Sequence, residues 1–113
     1  MTTVINPEVN LTRIYEYGPL YAKAKAERVQ LEEFRKSLKS LLMKKAMTAG
    51  HATTAAQERE AYADAEYITL LDGLKAAVEQ EERYRWGLTL ATTAIDVWRS
   101  VNASNRAMDR SAA

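Results

Sequence analysis

The sequence predicts an all-α fold: a long antiparallel helical hairpin, coiled-coil-like, with a short broken N-terminal helix, suited to assembling into a helical bundle. Three observations carry this expectation. Alanine, leucine, glutamate, lysine and arginine dominate, while 113 residues hold only 4 glycines and 2 prolines, a balance that favours helix over sheet. Apolar residues recur in alternating steps of four and three along two separate stretches, the spacing that holds side chains on one helix face. A glycine-containing loop near residues 50–51 lies between those stretches, so that partners in an antiparallel pair add to about 101.

The expectation is a single helical domain over residues 1–113, with residues 1–6 and about 107–113 loose. Asn6-Pro7 reads as a helix start, because asparagine caps and proline suits the first helical position. A short helix is expected over about 7–17, with Val9, Leu11, Ile14, Tyr15 and Tyr17 as apolar contacts. Gly18-Pro19 should interrupt it, since proline clashes with the preceding turn and disfavours helix in the residue before it. A second helix is expected over about 19–48, with the seam Leu20, Ala24, Glu27, Leu31, Phe34, Leu38, Leu41 and Lys45. Gly50 supplies the left-handed residue that closes it.

The longest stretch, about 54–107, has no proline and reads as one helix. Thr54 with Gln57 has the capping-box pattern. Its seam is Ala63, Tyr67, Leu70, Leu74, Ala77, Glu81, Tyr84, Leu88, Ala91, Ile95, Trp98 and Asn102. At roughly 1.5 Å per residue it would run on the order of 80 Å, too long to stand without a neighbour. The sum rule pairs Leu31 with Leu70, Phe34 with Tyr67 and Leu38 with Ala63, and places Ile14 near Gly87 and Leu11 near Leu90. Two seams found separately thus coincide. Glycine inside a helix costs about 1 kcal/mol. Close approach is the reason expected for Gly87, and the sequence offers none for Gly73.

Composition excludes several classes. With no cysteine there are no disulfides and no thiolate metal sites. No apolar run approaches the ~20 residues of a membrane span. The first residues lack the basic and apolar segments of a signal peptide. The default location is therefore cytoplasmic. Residues 1–50 carry a net +4 and residues 51–113 a net −3, so the two arms of the hairpin attract.

No residue set supports catalysis. His51 is the only histidine and falls in the loop, where a solvated side chain is the ordinary outcome. Helical-bundle metal sites use inward Glu-x-x-His pairs, and none occurs; Glu58, Glu60, Asp64 and Glu66 read as a solvated first-turn face. No glycine-rich phosphate loop, nucleophile elbow or Ser/His/Asp set is present. The chain is expected to be no enzyme, with no cofactor and no metal. Glu27 and Glu81 interrupt the seams. Partial exposure is their simplest reading, with Lys23, Lys75 or Arg85 as possible ion-pair partners.

Two binding surfaces remain. Trp86, Leu90, Ala94, Val97 and Val101 form a second apolar stripe, rotated by roughly a third of a turn from the first seam at ~100° per residue. A helix apolar on two sides needs two neighbours. With Arg85 and Arg99 at its edges, the stripe is the candidate protein interface, either for a homo-oligomer, most simply a dimer, or for a heterologous protein. The alternative is nucleic-acid binding through Lys25, Arg28, Arg35, Lys36 and Lys39. Interspersed Glu27, Glu32 and Glu33 weaken it, because phosphate binding needs a clear positive excess. Aromatic stacking on bases would fall to Tyr21, Tyr62 and Trp86, since Tyr67, Tyr84 and Trp98 lie on the seam.

The texts Tyr21-Ala-Lys-Ala-Lys-Ala-Glu-Arg-Val-Gln-Leu-Glu-Glu-Phe-Arg-Lys-Ser-Leu-Lys, Gln57-Glu-Arg-Glu-Ala-Tyr-Ala-Asp-Ala-Glu-Tyr and Val97-Trp-Arg-Ser resemble a group of small helical proteins of temperate bacteriophages, often encoded among early, recombination-type genes. The resemblance covers about residues 20–100 and transfers no catalytic residue. It implies a non-enzymatic accessory protein that inhibits or redirects a host nuclease or defence effector, or assists recombination. Its partner would be a host or phage protein, or, in the alternative, DNA.

Overall fold

The computed structural model describes residues 4–112; residues 1–3 and 113, expected to be loose, lie outside them. The fold is a helical hairpin of three helices, α1 (Pro7–Thr48), α2 (Thr54–Ala63) and α3 (Ala65–Ala112), with no strand among the described residues. The chain divides into two compact units. The loop unit is Lys23–Glu81; the terminal unit joins the described residues up to Ala22 with those from Glu82 onward.

Each helix end has a visible cause. Asn6 Oδ1 accepts from the N–H groups of Glu8 (2.9 Å) and Val9 (3.2 Å), which caps α1 as expected. At the other end, the His51 N–H donates to the Ala46 carbonyl and the Gly50 N–H to the Met47 carbonyl, both at 3.1 Å. This is the Schellman pattern, and Gly50 occupies its left-handed position at φ 106°. Helix α2 is capped by Thr53, one residue before the threonine expected: its Oγ1 accepts from the Ala56 N–H at 3.1 Å. The Gln57 side chain does not complete a capping box. It donates to the His51 carbonyl at 2.9 Å and ties the loop to α2.

The breaks differ from those expected. Helix α1 runs through Gly18-Pro19 without interruption. Proline removes one backbone hydrogen bond, that to the Tyr15 carbonyl, but Tyr15 is strongly exposed and water can take the acceptor. Gly18 has no Cβ, so the clash that normally bars helix before proline is largely absent. Conversely, the stretch expected as one helix over 54–107 divides at Asp64, whose φ −68° and ψ 138° are extended. Asp64 ends one helix and starts the next: its N–H donates to the Ala61 carbonyl, and its Oδ1 accepts from the Glu66 N–H at 2.8 Å. Helix α3 then continues to Ala112, so residues 107–112 are helical rather than loose.

The α3 seam lies where expected from Tyr67 to Asn102, all of it buried or half-buried; Ala63 is exposed, and Ala61 takes the inward place in α2. The α1 seam is displaced. Its inward positions include Ile14, Tyr17, Tyr21, Ala24, Arg28, Leu31, Arg35, Leu38, Leu42 and Ala46. Leu20, Glu27, Phe34, Leu41 and Lys45, expected inward, are exposed. The unbroken helix is the reason. With Tyr17 fixed on the seam, four-three steps carry its phase to Ala24, Arg28 and Leu38, whereas a restart at Pro19 would have freed the phase.

In the loop unit the core is Leu38, Leu42, Ala61 and Tyr67, with Met43 and Leu70 packed against it. The Tyr62 and Tyr67 rings meet edge-on across the helix break, centroids 5.3 Å apart. In one continuous helix these positions would point about 140° apart and could not meet, so this contact depends on the extended Asp64. In the terminal unit Tyr17 packs edge-on against Tyr84 at 5.6 Å, a pair that obeys the sum of 101. No large side chain among the described residues is fully buried. Two paired helices cover each other on one side only.

Candidate protein interface

The terminal unit carries the apolar stripe on α3. Trp86 is 63% exposed, Leu90 and Val101 51% each, and Val97 44%; Ala94 is half-buried. The sequence-derived candidate residues are therefore on the surface and on one face. The arc of α3 about a third of a turn away, through Tyr84, Leu88, Ala91 (0% exposed) and Trp98, is the one turned inward. Covering a side chain such as Trp86 or Leu90 is worth roughly 1.5–3 kcal/mol at full burial, and most of that gain is unrealised here.

Arg85 and Arg99, expected at the edges of the stripe, fall roughly 140° and 180° from its centre on α3 at ~100° per residue, and each meets an acid of its own helix. Arg85 donates to both carboxylate oxygens of Glu82 one turn earlier, at 2.5 Å, and Arg99 lies 3.9 Å from Asp96. At the crossing of the arms, Gly87 has a steric role. A Cβ built there would lie 2.5 Å from Tyr17 Cε2, so the ring is seated in the place a side chain would need.

The basic residues of the alternative surface are mostly engaged. Arg28 donates from Nε and Nη2 to the carboxylate of Glu81 and lies 2.9 Å from Glu32. The hydrogen bonds to Glu81 and Glu32, and then their charges, hold its pKa above the ordinary value. Glu81, expected to be partly exposed, with Lys23, Lys75 or Arg85 as the ion-pair partner, is instead 7% exposed and bonded to Arg28. Lys39 bonds Glu58 at 2.7 Å and sits 4.8 Å from the centroid of the Tyr62 ring. The hydrogen bond to Glu58 raises the Lys39 pKa and lowers that of Glu58. Lys36 lies 3.3 Å from Glu33, and Arg35 is half-buried on the seam. Glu58 and Asp64, expected on a solvated face, therefore hold Lys39 and cap α3, and Asp64 also meets Lys45 at 3.5 Å.

Beside the helix break, Phe34, Leu38, Ala65, Glu66, Thr69 and Leu70 line an open concavity of about 400 Å³. Phe34, expected inward opposite Tyr67, is 48% exposed. The Arg28–Glu81 bond was not legible in advance, because the displaced α1 seam places residue 28 inward in place of 27. No group of three histidine, aspartate or glutamate side chains converges as a metal site requires among the described residues, and none of the described helices is long and apolar enough to cross a membrane. Compared with family models, curated proteins and solved structures, the chain matches none.

Proposed function

We propose that this chain is a non-enzymatic protein-binding module whose working surface is the apolar face of α3 from Trp86 to Val101. One observation carries the reading: a tryptophan, a leucine and two valines stand about half exposed or more on one face of a helix whose other face is already packed. A large aromatic anchor beside aliphatic residues is the composition of an interface hot spot. The surface that covers it belongs to a protein: a second copy, or a host or phage protein. In keeping with the phage resemblance, the proposed role is to inhibit or redirect a host nuclease or defence effector, or to assist recombination, in the cytosol of the host.

DNA binding is the weaker alternative. Of its five cations, Arg28, Lys36 and Lys39 lie against carboxylates and Arg35 is half-buried, which leaves little positive excess for phosphates. The deciding experiment is affinity capture from host lysate beside a DNA shift assay. Trp86→Ala and Val97→Asp should lose the captured protein, while Lys25→Ala with Lys36→Ala keeps it. Capture unaffected by the stripe variants, together with salt-sensitive DNA binding lost in the lysine variant, would overturn the reading.

A further inference from the structure

We infer that the surface covering the Trp86–Val101 stripe is the same stripe of a second copy of this chain, laid antiparallel across a two-fold axis. The inference rests on the reading that this face is a docking surface, and names its occupant.

The first argument is symmetry. An isologous interface must be complementary to itself, so its residues pair as i with j and j with i. The stripe has that property along α3. Trp86 and Val101 are equidistant from a point between Thr93 and Ala94, and so are Leu90 and Val97; each pair of positions adds to 187. An antiparallel copy therefore sets Trp86 against Val101, Leu90 against Val97, and the small pair Thr93 and Ala94 against themselves at the axis. A larger side chain meets a smaller one in each outer layer, and the smallest residues lie where the helices come closest. A parallel pairing would stack Trp86 on Trp86 and forgo this match.

The second argument is area. The chain exposes 8511 Å² for its 12.7 kDa. A folded monomer of that mass typically exposes about 6,200 Å². The excess, roughly 2,300 Å², surpasses the ~800 Å² that each partner buries in a standard interface. A second copy on the stripe supplies such burial without a further gene product.

The chain has no cysteine, which makes single-cysteine variants of the full chain clean probes. Sedimentation should give a dimer at tens of micromolar, reduced to monomer by Val97→Asp with helicity by circular dichroism unchanged. Ala94→Cys should form a disulfide-linked dimer on mild oxidation. Val101→Cys should not, because its two copies would lie about 22 Å apart along the helices, beyond the ~7 Å reach of a disulfide. A stable monomer at these concentrations, or Val101→Cys cross-linking as readily as Ala94→Cys, overturns the inference. A monomer whose capture of a host protein is still lost in Val97→Asp overturns the second copy alone and leaves the docking surface standing. A dimer untouched by Trp86→Ala and Val97→Asp overturns both.

Discussion

Arg28 closes a two-pronged hydrogen bond on Glu81, 53 positions further along the chain, with Nε and Nη2 donating to the two carboxylate oxygens. Both residues face the seam between α1 and α3, and Glu81 is the one buried charged side chain among the described residues. A polar pair in a mostly apolar seam can fix register at some expense of stability. Removing one partner strands the other. Glu81→Ala should therefore lower the melting temperature clearly, whereas Arg28→Met combined with Glu81→Leu should recover most of the loss. Thermal unfolding of the two variants separates these outcomes. A double variant as unstable as the single one would refute the argument.

Gly73 and Gly87 are both helical but should respond oppositely to alanine. Nothing lies within 4 Å of a Cβ at Gly73, so Gly73→Ala should stabilise by about 1 kcal/mol through helix propensity alone. At Gly87 the new methyl would meet Tyr17 Cε2 and Cδ2 at 2.5 and 2.6 Å. The ring must shift from its place, and an overpacking penalty of about 1–3 kcal/mol outweighs the propensity gain. Urea denaturation of both variants, with equal slopes, provides the comparison.

The Lys39–Glu58 pair predicts a pH dependence with a definite sign. The carboxylate of Glu58 is held below its ordinary value of 4.5, so its contribution is present above pH 4.5 and fades as the pH falls through the lower folded-state value. The ammonium of Lys39 is held above its ordinary value of 10.5, so its contribution is present below pH 10.5 and fades as the pH rises past it. The two side chains are 31% and 42% exposed, so the effect is small and weakened by salt. The difference in melting temperature between the wild type and Lys39→Met should be steady from pH 5 to 10 and shrink at pH 3. A difference that persists at pH 3 would assign it to lost packing on Tyr62.

The loop-unit core should be sensitive in both directions. Leu42→Ala removes a nearly buried side chain and should destabilise by about 2–3 kcal/mol, the low end for such truncations, because one side of the pair is open to solvent. Ala61 is 0% exposed, so Ala61→Leu has no room and should cost about 1–3 kcal/mol. Leu41→Ala, at a position expected on the seam but 60% exposed, should change stability by less than about 0.5 kcal/mol.

The hairpin, the loop closure at Gly50, the Asn6 cap and the α3 seam were all legible in the sequence, because each rests on local chemistry or on a period that one stretch displays by itself. The α1 seam was misphased by one residue at Glu27, Phe34 and Leu41. Its register depends on whether Pro19 interrupts the helix, and that is decided by Gly18 and by the Tyr17–Tyr84 contact rather than by proline alone. The Asp64 break has no signal in the sequence, because Asp-Ala-Glu is an ordinary helical text. The edge-on contact of Tyr62 with Tyr67 and the cap of Asp64 on the Glu66 N–H accompany the extended backbone there, and neither shows in the local text. The stripe from Trp86 to Val101 was visible as a periodicity, and its exposure accords with that reading. The engagement of Arg28 and Lys39 was not visible, since it joins positions 53 and 19 apart.

The spacing of the pairs along the chain has a kinetic consequence. Lys39–Glu58 and Lys45–Asp64 each close a loop of 19 positions, Arg28–Glu81 one of 53, and Tyr17–Tyr84 a longer one still. Loop-closure entropy rises with the logarithm of length, by about 0.9 kcal/mol from 19 to 53 positions. The hairpin should therefore zip from its turn outward, with the tyrosine pair last to form and first to open. Amide exchange should follow that order, slow beside Leu42 and Ala61 and faster beside Tyr17 and Tyr84. The docking stripe lies in the half that opens first. A molecule bound there would act as a clasp, prolonging the closed lifetime of the end of the hairpin that chain connectivity guards least.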